Sequence, residues 1–213
     1  MTLHITEREL SLRRLLKDDF EAYSRACLKI RTKSGEVHPF RLNRSQVYLH
    51  HRLEEQLRTK GKVRALVLKG RQVGISTYIG GRFYWKISHK FGFRAFILTH
   101  LDTASDNLFG MARRYHESCP EMFRPETGKA NAKELSFSKL DSGYKVATAG
   151  SAEVGRSETI QLFHGSEVAF WPNAQNHSAG IRQAIALRPS IRRRSYCRSR
   201  WRCFRECLLS RPH

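Results

Sequence analysis

The chain of 213 residues can form one sizeable domain with additional elements, and it is too short for two full domains. Its 39 Lys and Arg residues against 19 Asp and Glu give a formal net charge of +20, which favours a polyanionic partner, with nucleic acid the first candidate and an acidic membrane surface the second. No apolar run approaches the roughly 18 residues that a membrane helix needs, and the start of the chain lacks the apolar core of a signal peptide, so we expect a cytoplasmic protein.

Apolar spacing predicts helices and strands that alternate along most of the chain. An amino-terminal helix is predicted within 5–30, a turn-rich connection over 33–44, and a second helix over 45–58 that is capped by Ser45. Further on, strands are predicted at 63–68, 94–99, 144–149 and 160–164, and helices at 77–90, 103–118 and 176–187. Because strands alternate with helices, we predict an α/β fold with a mainly parallel sheet and helices on both faces.

A glycine-bracketed turn, VLKGRQVGIST at 67–77, follows the first of these strands and leads into a helix. This order is that of a phosphate-binding P-loop, in which backbone N–H groups of the turn and of the first helical turn surround the phosphates. In the pattern GxxxxGK[ST], Gly70 and Gly74 occupy the glycine positions and Ser76 the hydroxyl that binds Mg²⁺, but Ile75 stands in place of lysine. We therefore predict a sheet of the P-loop NTPase type whose phosphate-binding cation comes from another position.

The loop itself contains two positive side chains that can fold back over the phosphates. Arg71 is our first candidate for the missing cation and Lys69 the second, and Gln72 and Thr77 complete the predicted nucleotide contacts. The alternative interpretation is an ordinary glycine turn with two solvated cations.

An acidic residue follows the last predicted strand. Phosphoryl transfer needs an acid at the end of a neighbouring strand to hold Mg²⁺ or to orient the attacking water. Glu167 is therefore the candidate water-activating base and metal ligand, while Ser166 stands where an aspartate is usual and is a weaker, neutral partner for the metal. The alternative is a surface acid, although the apolar residues at 168–171 favour a buried segment.

Upstream of the loop, Gln46 could recognise a nucleotide base. A glutamine amide presents a donor and an acceptor together, which match N6 and N7 of adenine. Taken alone, Gln46 is better explained as a helix-surface residue.

The end of the chain differs in composition from the rest. Residues 188–213 contain nine Arg and one Glu, together with three of the five cysteines, and show no helical or strand periodicity. Either this tail is a basic nucleic-acid-binding arm, or the chain leaves its original reading frame near Pro189, which we favour. The cysteines form no disulfide or zinc spacing, so we expect reduced thiols.

Three stretches together resemble one protein family. PFRLNRSQ, KGRQVGIST and HGSEVAFW, in this order, are similar to the ATPase part of the phage terminase large subunit, the motor that packages viral DNA. The resemblance covers roughly 20–187, and in that family the essential cation lies at the front of the loop, as Arg71 and Lys69 would here. The family's coupling segment, which resembles ESTANG, and its nuclease domain have no counterpart after Pro189.

The resemblance implies a truncated or frameshifted copy with three parts: a helical segment with the adenine-binding motif (1–60), a P-loop ATPase core (61–189) and the arginine-rich tail (190–213), expected to be out of frame or disordered. It implies ATP and Mg²⁺ as cofactors. It also implies double-stranded DNA, a small terminase subunit and a portal protein as partners, and a ring of identical subunits in the bacterial host. A non-catalytic basic DNA-binding remnant and a helicase-type ATPase are the alternatives, although Ser166 and the RQxGxS loop argue against a helicase.

Overall fold

The computed structural model describes residues 6–70, 72–128, 130–150, 159–172, 174–185 and 204–205. The helices among them are α1 (Glu7–Asp18), α2 (Phe20–Cys27), α3 (Arg44–Lys60), α4 (Ile75–His89), α5 (Asp102–Ser118) and α6 (Ala174–Ala184). The strands are β1 (Lys29–Arg31), β2 (Val37–Pro39), β3 (Val63–Arg64), β4 (Arg94–Thr99), β5 (Glu134–Phe137), β6 (Ser142–Thr148), β7 (Leu162–Gly165) and β8 (Phe204–Arg205). None of the described helices has the length and apolar character to cross a membrane.

One six-stranded sheet runs in the order β3-β8-β7-β4-β6-β5. Neighbouring strands are parallel, except that β5 runs antiparallel to β6 at the edge. The strands β1 and β2 form a separate antiparallel hairpin. The predicted mainly parallel sheet is therefore confirmed, whereas the hairpin and the edge strand β5 were not predicted.

The central strand β4 shows how the sheet separates two apolar layers. Ala95 and Ile97 belong to the larger core cluster, which also contains the buried residues of α4 and α5. Phe96 and Leu98 point to the opposite face and join a second cluster with residues of α6. Because successive side chains of a strand point to opposite faces, this alternation places helices on both sides of the sheet, as predicted.

Helix α4 is buried over most of its length and lies at the centre of the larger cluster. Two adjacent glycines allow this packing. A Cβ atom on Gly80 would lie 3.2 Å from the hydroxyl of Tyr144 on β6, and one on Gly81 would lie 3.0 Å from the ring of Phe40. Larger residues would push α4 away from the sheet on one side and from the β1–β2 hairpin on the other.

A polar network crosses the interface between α3 and α4. The buried guanidinium of Arg82 lies 2.6 Å from Oε1 of Glu54, within ion-pair range although not aligned as a hydrogen bond. Both Arg82 Nη1 (3.2 Å) and the Tyr78 hydroxyl (3.0 Å) donate to Nδ1 of His50. Burial, and next the charge of Arg82, lower the pKa of His50 to about 4. His50 is therefore a neutral acceptor inside the network.

The amino-terminal helical segment divides at Asp19 into two helices. Asp19 ends α1 and also caps α2, since its side chain accepts a hydrogen bond from the Ala22 N–H at 3.0 Å. The indole N–H of Trp85 donates to the carbonyl of Leu16 at 2.9 Å, which fixes α1 to α4.

The first predicted strand is shorter than expected. Its regular part ends at Arg64, where the described pairing with β8 also ends. Beyond that pairing, Leu66 and Leu68 are exposed. Of the arginine-rich tail, only β8 is described, so the predicted disorder or frameshift over 190–213 lies largely outside the described residues. Cys27 and Cys119 are buried free thiols, and the remaining three cysteines lie beyond the described part.

Candidate functional site

The loop between β3 and α4 turns at Gly74. Gly74 has a φ of 76° and is the N-cap of α4, and none of the described side chains caps this helix end. Gln72 also lies in the left-handed region, with a φ of 61°. The first N–H groups of a helix have no partner within the helix, and the helix dipole adds partial positive charge there. This end of α4 is therefore suited to bind an anion such as a phosphate group.

The start of α3 is joined to this loop by the side chain of Gln46. The Gln46 Nε2 donates to the carbonyl oxygen of Gly74 at 2.7 Å, and the Asn43 Nδ2 donates to the carbonyl of Val73 at 3.2 Å. Gln46 is almost fully buried, with an exposed fraction of 4%. Two side chains of one helix end therefore hold two consecutive carbonyls of the loop.

Gln46 also completes the cap of its own helix. The Asn43 Oδ1 accepts from the Gln46 N–H at 3.0 Å, and the Gln46 Oε1 accepts from the Asn43 N–H at 2.9 Å, which together form a capping box. The predicted cap at Ser45 is therefore wrong, because α3 begins at Arg44 and Asn43 caps it. In this arrangement each half of the Gln46 amide already has one hydrogen-bond partner within the protein.

A cavity of about 980 Å³ opens beside the loop. It lies between the β1–β2 hairpin and the strand-helix connection that follows it, the loop, and α5. Its walls carry the cationic side chains of Arg31, Lys33, Arg41 and Arg114, against one acid, Asp106. This volume is at the upper end of the range for small-molecule sites, and the excess of positive charge favours an anionic ligand.

The structure brings four of the predicted nucleotide-binding residues to this cavity: Gln46, Gln72, Gly74 and Thr77. Three other predicted residues do not line the described part of the cavity: Lys69, Gly70 and Ser76. Arg71, the first candidate for the displaced cation, lies outside the described residues.

Neighbouring elements hold the loop and the first turn of α4 in place. Lys33, in the turn of the hairpin, donates to Oε1 of Gln72. The hydroxyl of Tyr115 on α5 donates to the carbonyl of Thr77 at 3.1 Å. Lys33 and Arg41 were missed by the sequence analysis, because the hairpin that brings them to the loop was interpreted only as a connection.

Glu167 follows β7 at the same edge of the sheet as the loop, since both come after the carboxyl ends of parallel strands. The strand order places β7 two positions from β3, or about 10 Å across the sheet. Glu167 has a φ of 54° and is 47% exposed in its side chain. It does not line the cavity, and its Oε2 lies 3.1 Å from Nδ1 of His100, which follows β4.

The segment after Glu167 is less buried than its sequence predicted. Trp171 is buried and its indole N–H donates to the carbonyl of Ser166 at 3.0 Å. Phe170, in contrast, is 68% exposed and Ala169 is exposed. The prediction of a buried segment is therefore wrong for these two residues.

The described residues contain no group of three or more His, Cys, Asp or Glu side chains that could hold a metal on their own. A magnesium ion in a nucleotide site requires fewer protein ligands, since it keeps several water ligands and is also coordinated by the phosphates. The Ser76 hydroxyl, in the first turn of α4, makes no hydrogen bond to any described residue. Ser76 and Glu167 remain the predicted magnesium ligands, and neither of them lines the cavity.

Comparison with known proteins gave matches only among solved structures, since no protein-family model and no curated protein matches the chain. The crystal structure of the HK97 bacteriophage large terminase superposes with a TM-score of 0.63, over 79% of this chain, at 14% sequence identity. A mutant of the Thermus Phage P74-26 large terminase ATPase domain superposes with a TM-score of 0.52, over 85% of this chain, at 15% identity. The chain has the fold of phage large terminase ATPase domains.

The superposed region includes most of this chain, but this chain spans only part of the length of those two proteins. It covers 34% of the HK97 large terminase chain and 65% of the Thermus phage ATPase domain. The expected α/β fold, with a mainly parallel sheet and helices on both faces, is thus confirmed by architecture and by similarity.

Proposed function

We propose that this chain is the ATP-binding and ATP-hydrolysing part of a viral DNA-packaging motor, a terminase large subunit. The observation that carries the proposal is the hydrogen bond from Gln46 to the Gly74 carbonyl, beside a basic cavity and at the uncapped end of α4. It joins the predicted base-recognition helix to the predicted phosphate loop. The terminase fold supports the same assignment.

The roles of the residues follow from their positions. The N–H groups at the start of α4 bind the phosphates, with Arg71 as the main neutralising cation and Lys69 as the second. The adenine lies near Gln46, whose amide keeps one free hydrogen and one free lone pair for the base. Magnesium held near Ser76 and Glu167 would neutralise charge on the β- and γ-phosphates.

Hydrolysis requires a base for the attacking water. The Glu167 carboxylate accepts a proton from the attacking water. At the same time the oxygen of that water bonds to the γ-phosphorus. The bond from that phosphorus to the β–γ bridging oxygen breaks, and the bridging oxygen leaves on ADP with the electron pair. The products are ADP and inorganic phosphate. In a packaging motor this step would drive double-stranded DNA into a capsid, in the cytoplasm of a bacterial host, with a small terminase subunit, a portal protein and a ring of identical subunits as partners.

Titration of ATP with Mg²⁺ into the protein, followed by calorimetry, tests the nucleotide site. The variant Gln46→Glu keeps an acceptor for the Asn43 N–H but sets a carboxylate against the Gly74 carbonyl, so ATP affinity should fall by about tenfold or more. Gln56→Glu is the matched control, because Gln56 lies on the same helix and forms a similar pair of hydrogen bonds with the Arg64 backbone. Equal affinity in wild type and Gln46→Glu would count against the proposal.

A second candidate is a basic DNA-binding remnant without turnover. The observation that favours it is the position of Glu167, which contacts His100 and not the cavity, together with the net charge of +20. DNA binding measured with and without ATP, before and after deletion of 188–213, separates the two. A DNA affinity that is unchanged by the deletion and by ATP would favour the DNA-binding remnant. A DNA affinity that changes with ATP would favour the packaging motor.

A further inference from the structure

We infer that His50 and Tyr78 are positioning residues for Gln46, which hold its side-chain amide beside the phosphate loop and thereby set the preference of the site for adenine. The inference rests on the proposed function, because it concerns base recognition by that amide. Neither His50 nor Tyr78 belongs to the segments from which nucleotide binding was predicted.

Three polar contacts join α3 to α4 at regular intervals. The pairs, each 28 residues apart in sequence, are Gln46 with Gly74, His50 with Tyr78, and Glu54 with Arg82. Residues four apart lie on the same face of a helix, and the three pairs advance together along both chain segments. The two helices therefore run side by side in the same direction over about two turns, or roughly 12 Å. Gln46 lies at the end of this series that borders the cavity.

The carbonyl oxygen of Gly74 joins the first pair to the second. It accepts from Nε2 of Gln46 at 2.7 Å and from the backbone N–H of Tyr78 at 3.0 Å. The hydroxyl of the same tyrosine donates to Nδ1 of His50 at 3.0 Å, and His50 lies one helical turn after Gln46. The four residues thus form a closed circuit of contacts. A displacement of His50 relative to Tyr78 moves the amide of Gln46 relative to the loop.

The buried side chains in the first half of α3 are both polar. Four residues of this helix are buried, and they are Gln46, His50, Leu53 and Leu57. The two leucines belong to the second half. Apolar contact is non-directional, whereas a hydrogen bond weakens steeply when its angle changes. The hydrogen bond between Tyr78 and His50 therefore sets the position of α3 along α4 at the end where the base would bind.

An aromatic ring from α2 separates the second pair from solvent. The centroid of the Phe20 ring lies 5.7 Å from that of His50 and 5.6 Å from that of Tyr78. All three side chains are buried. A water molecule cannot take the place of the tyrosine hydroxyl unless this cluster opens, so loss of the hydroxyl weakens the pair.

Calorimetric titration of ATP and of GTP, each with Mg²⁺, into the full chain tests this role. Tyr78→Phe removes the hydroxyl and keeps the ring. The ratio of ATP affinity to GTP affinity should then fall by about threefold or more, because one hydrogen bond that positions the amide is lost. An equal ratio in wild type and Tyr78→Phe would overturn the inference, and so would a wild type that binds both nucleotides equally well.

Tyr84→Phe is the matched control. Tyr84 is also a buried tyrosine of α4, and its hydroxyl lies at the same distance of 3.0 Å from a histidine Nδ1, that of His116 on α5. The two variants lose the same chemical group from the same helix, but only Tyr78 contacts α3. Tyr84→Phe should therefore keep the wild-type ratio, and an equal fall in both variants would assign the effect to stability and contradict the inference.

Two variants of His50 test the acceptor of this hydrogen bond. His50→Leu leaves the hydroxyl of Tyr78 and the guanidinium of Arg82 without it, so the ATP-to-GTP ratio should fall by about fivefold or more. His50→Asn supplies an amide oxygen near the position of Nδ1 and should restore most of the ratio. Ratios that are the same in His50→Asn and His50→Leu would contradict the positioning role.

A second measurement needs no nucleotide and separates failure of this inference from failure of the proposed function. The NMR resonances of the Gln46 side-chain NH₂ group should shift in Tyr78→Phe and stay unchanged in Tyr84→Phe. If the wild type binds neither nucleotide, the proposed function fails, and these resonances alone decide whether Tyr78 positions the amide. Resonances that Tyr78→Phe does not change would show that it does not.

Discussion

The side-chain amide of Gln46 donates to the backbone carbonyl of Gly74 at 2.7 Å, and so joins the first turn of α3 to the N-cap residue of α4. The approach is so close that Gly74 has no room for a side chain. A Cβ atom there would lie 2.8 Å from Nε2 of Gln46. Gly74 is therefore required for two reasons, its φ of 76° and this contact.

The first prediction separates those two reasons. Gly74→Ala should lose ATP binding, because the added methyl displaces Gln46 and the loop moves with it. Gly92→Ala is the control: its φ of 70° imposes the same backbone strain, about 1–2 kcal/mol of stability, but its Cβ would meet nothing within 4 Å. Calorimetric ATP titration and urea unfolding of both variants check this. ATP binding by Gly74→Ala at wild-type affinity would refute the role of the contact.

The second prediction concerns the ion pair between α3 and α4. Glu54→Ala leaves the guanidinium of Arg82 buried without its carboxylate, so the free energy of unfolding should fall by about 3 kcal/mol. Glu55→Ala, at the next position, removes only an exposed pair with Arg52 and should cost less than about 1 kcal/mol. Urea unfolding monitored by circular dichroism measures both. Equal losses in the two variants would mean that burial of Arg82 has no energetic consequence.

The third prediction is a dependence of stability on pH. Because burial and the charge of Arg82 lower the pKa of His50 from 6.5 to about 4, the unfolded chain binds a proton between these values that the folded chain does not. The free energy of unfolding should therefore decrease as the pH falls from about 6.5 to about 4. The His50→Gln variant lacks this titration, so its stability should decrease less over the same range.

Unfolding free energies measured between pH 4 and pH 8 in both proteins test the sign. Tyr78, Glu54, His51 and Asp19 surround the same histidine and are unchanged in the variant, so the difference between the two curves isolates His50. Identical slopes for wild type and His50→Gln would contradict a lowered pKa.

Much of the sheet could be predicted from local pattern alone. The run RAFILT has the bounds of β4 as predicted, because its four consecutive apolar residues at 95–98 put apolar side chains on both faces, which is typical of a strand buried on both sides. The cap of α3 could also have been found, since Asn43 and Gln46 have the spacing of a capping box. The cap was instead predicted at Ser45, which lies inside the helix.

Other parts of the site depend on contacts between distant segments. The pairing of Lys33 with Gln72 requires the hairpin to fold over the loop, and no local pattern specifies that. The contact of His100 with Glu167 requires β4 and β7 to be neighbours in the sheet. The local sequence of either strand does not specify which strand will be its neighbour. Strand 63–68 was also overestimated, since the structure assigns only Val63 and Arg64 to it.

The central claim is that a guanidinium at the front of the loop replaces the missing lysine and that Glu167 serves as the base. ATP affinity and turnover, measured side by side in wild type, Arg71→Ala and Glu167→Ala, test it most directly, with Arg58→Ala on the outer face of α3 as a control. We expect Arg71→Ala to bind ATP about tenfold or more weakly. Glu167→Ala should bind as wild type does but lose about 100-fold or more in kcat. Equal ATP binding by wild type and Arg71→Ala, or equal turnover by wild type and Glu167→Ala, would contradict the claim.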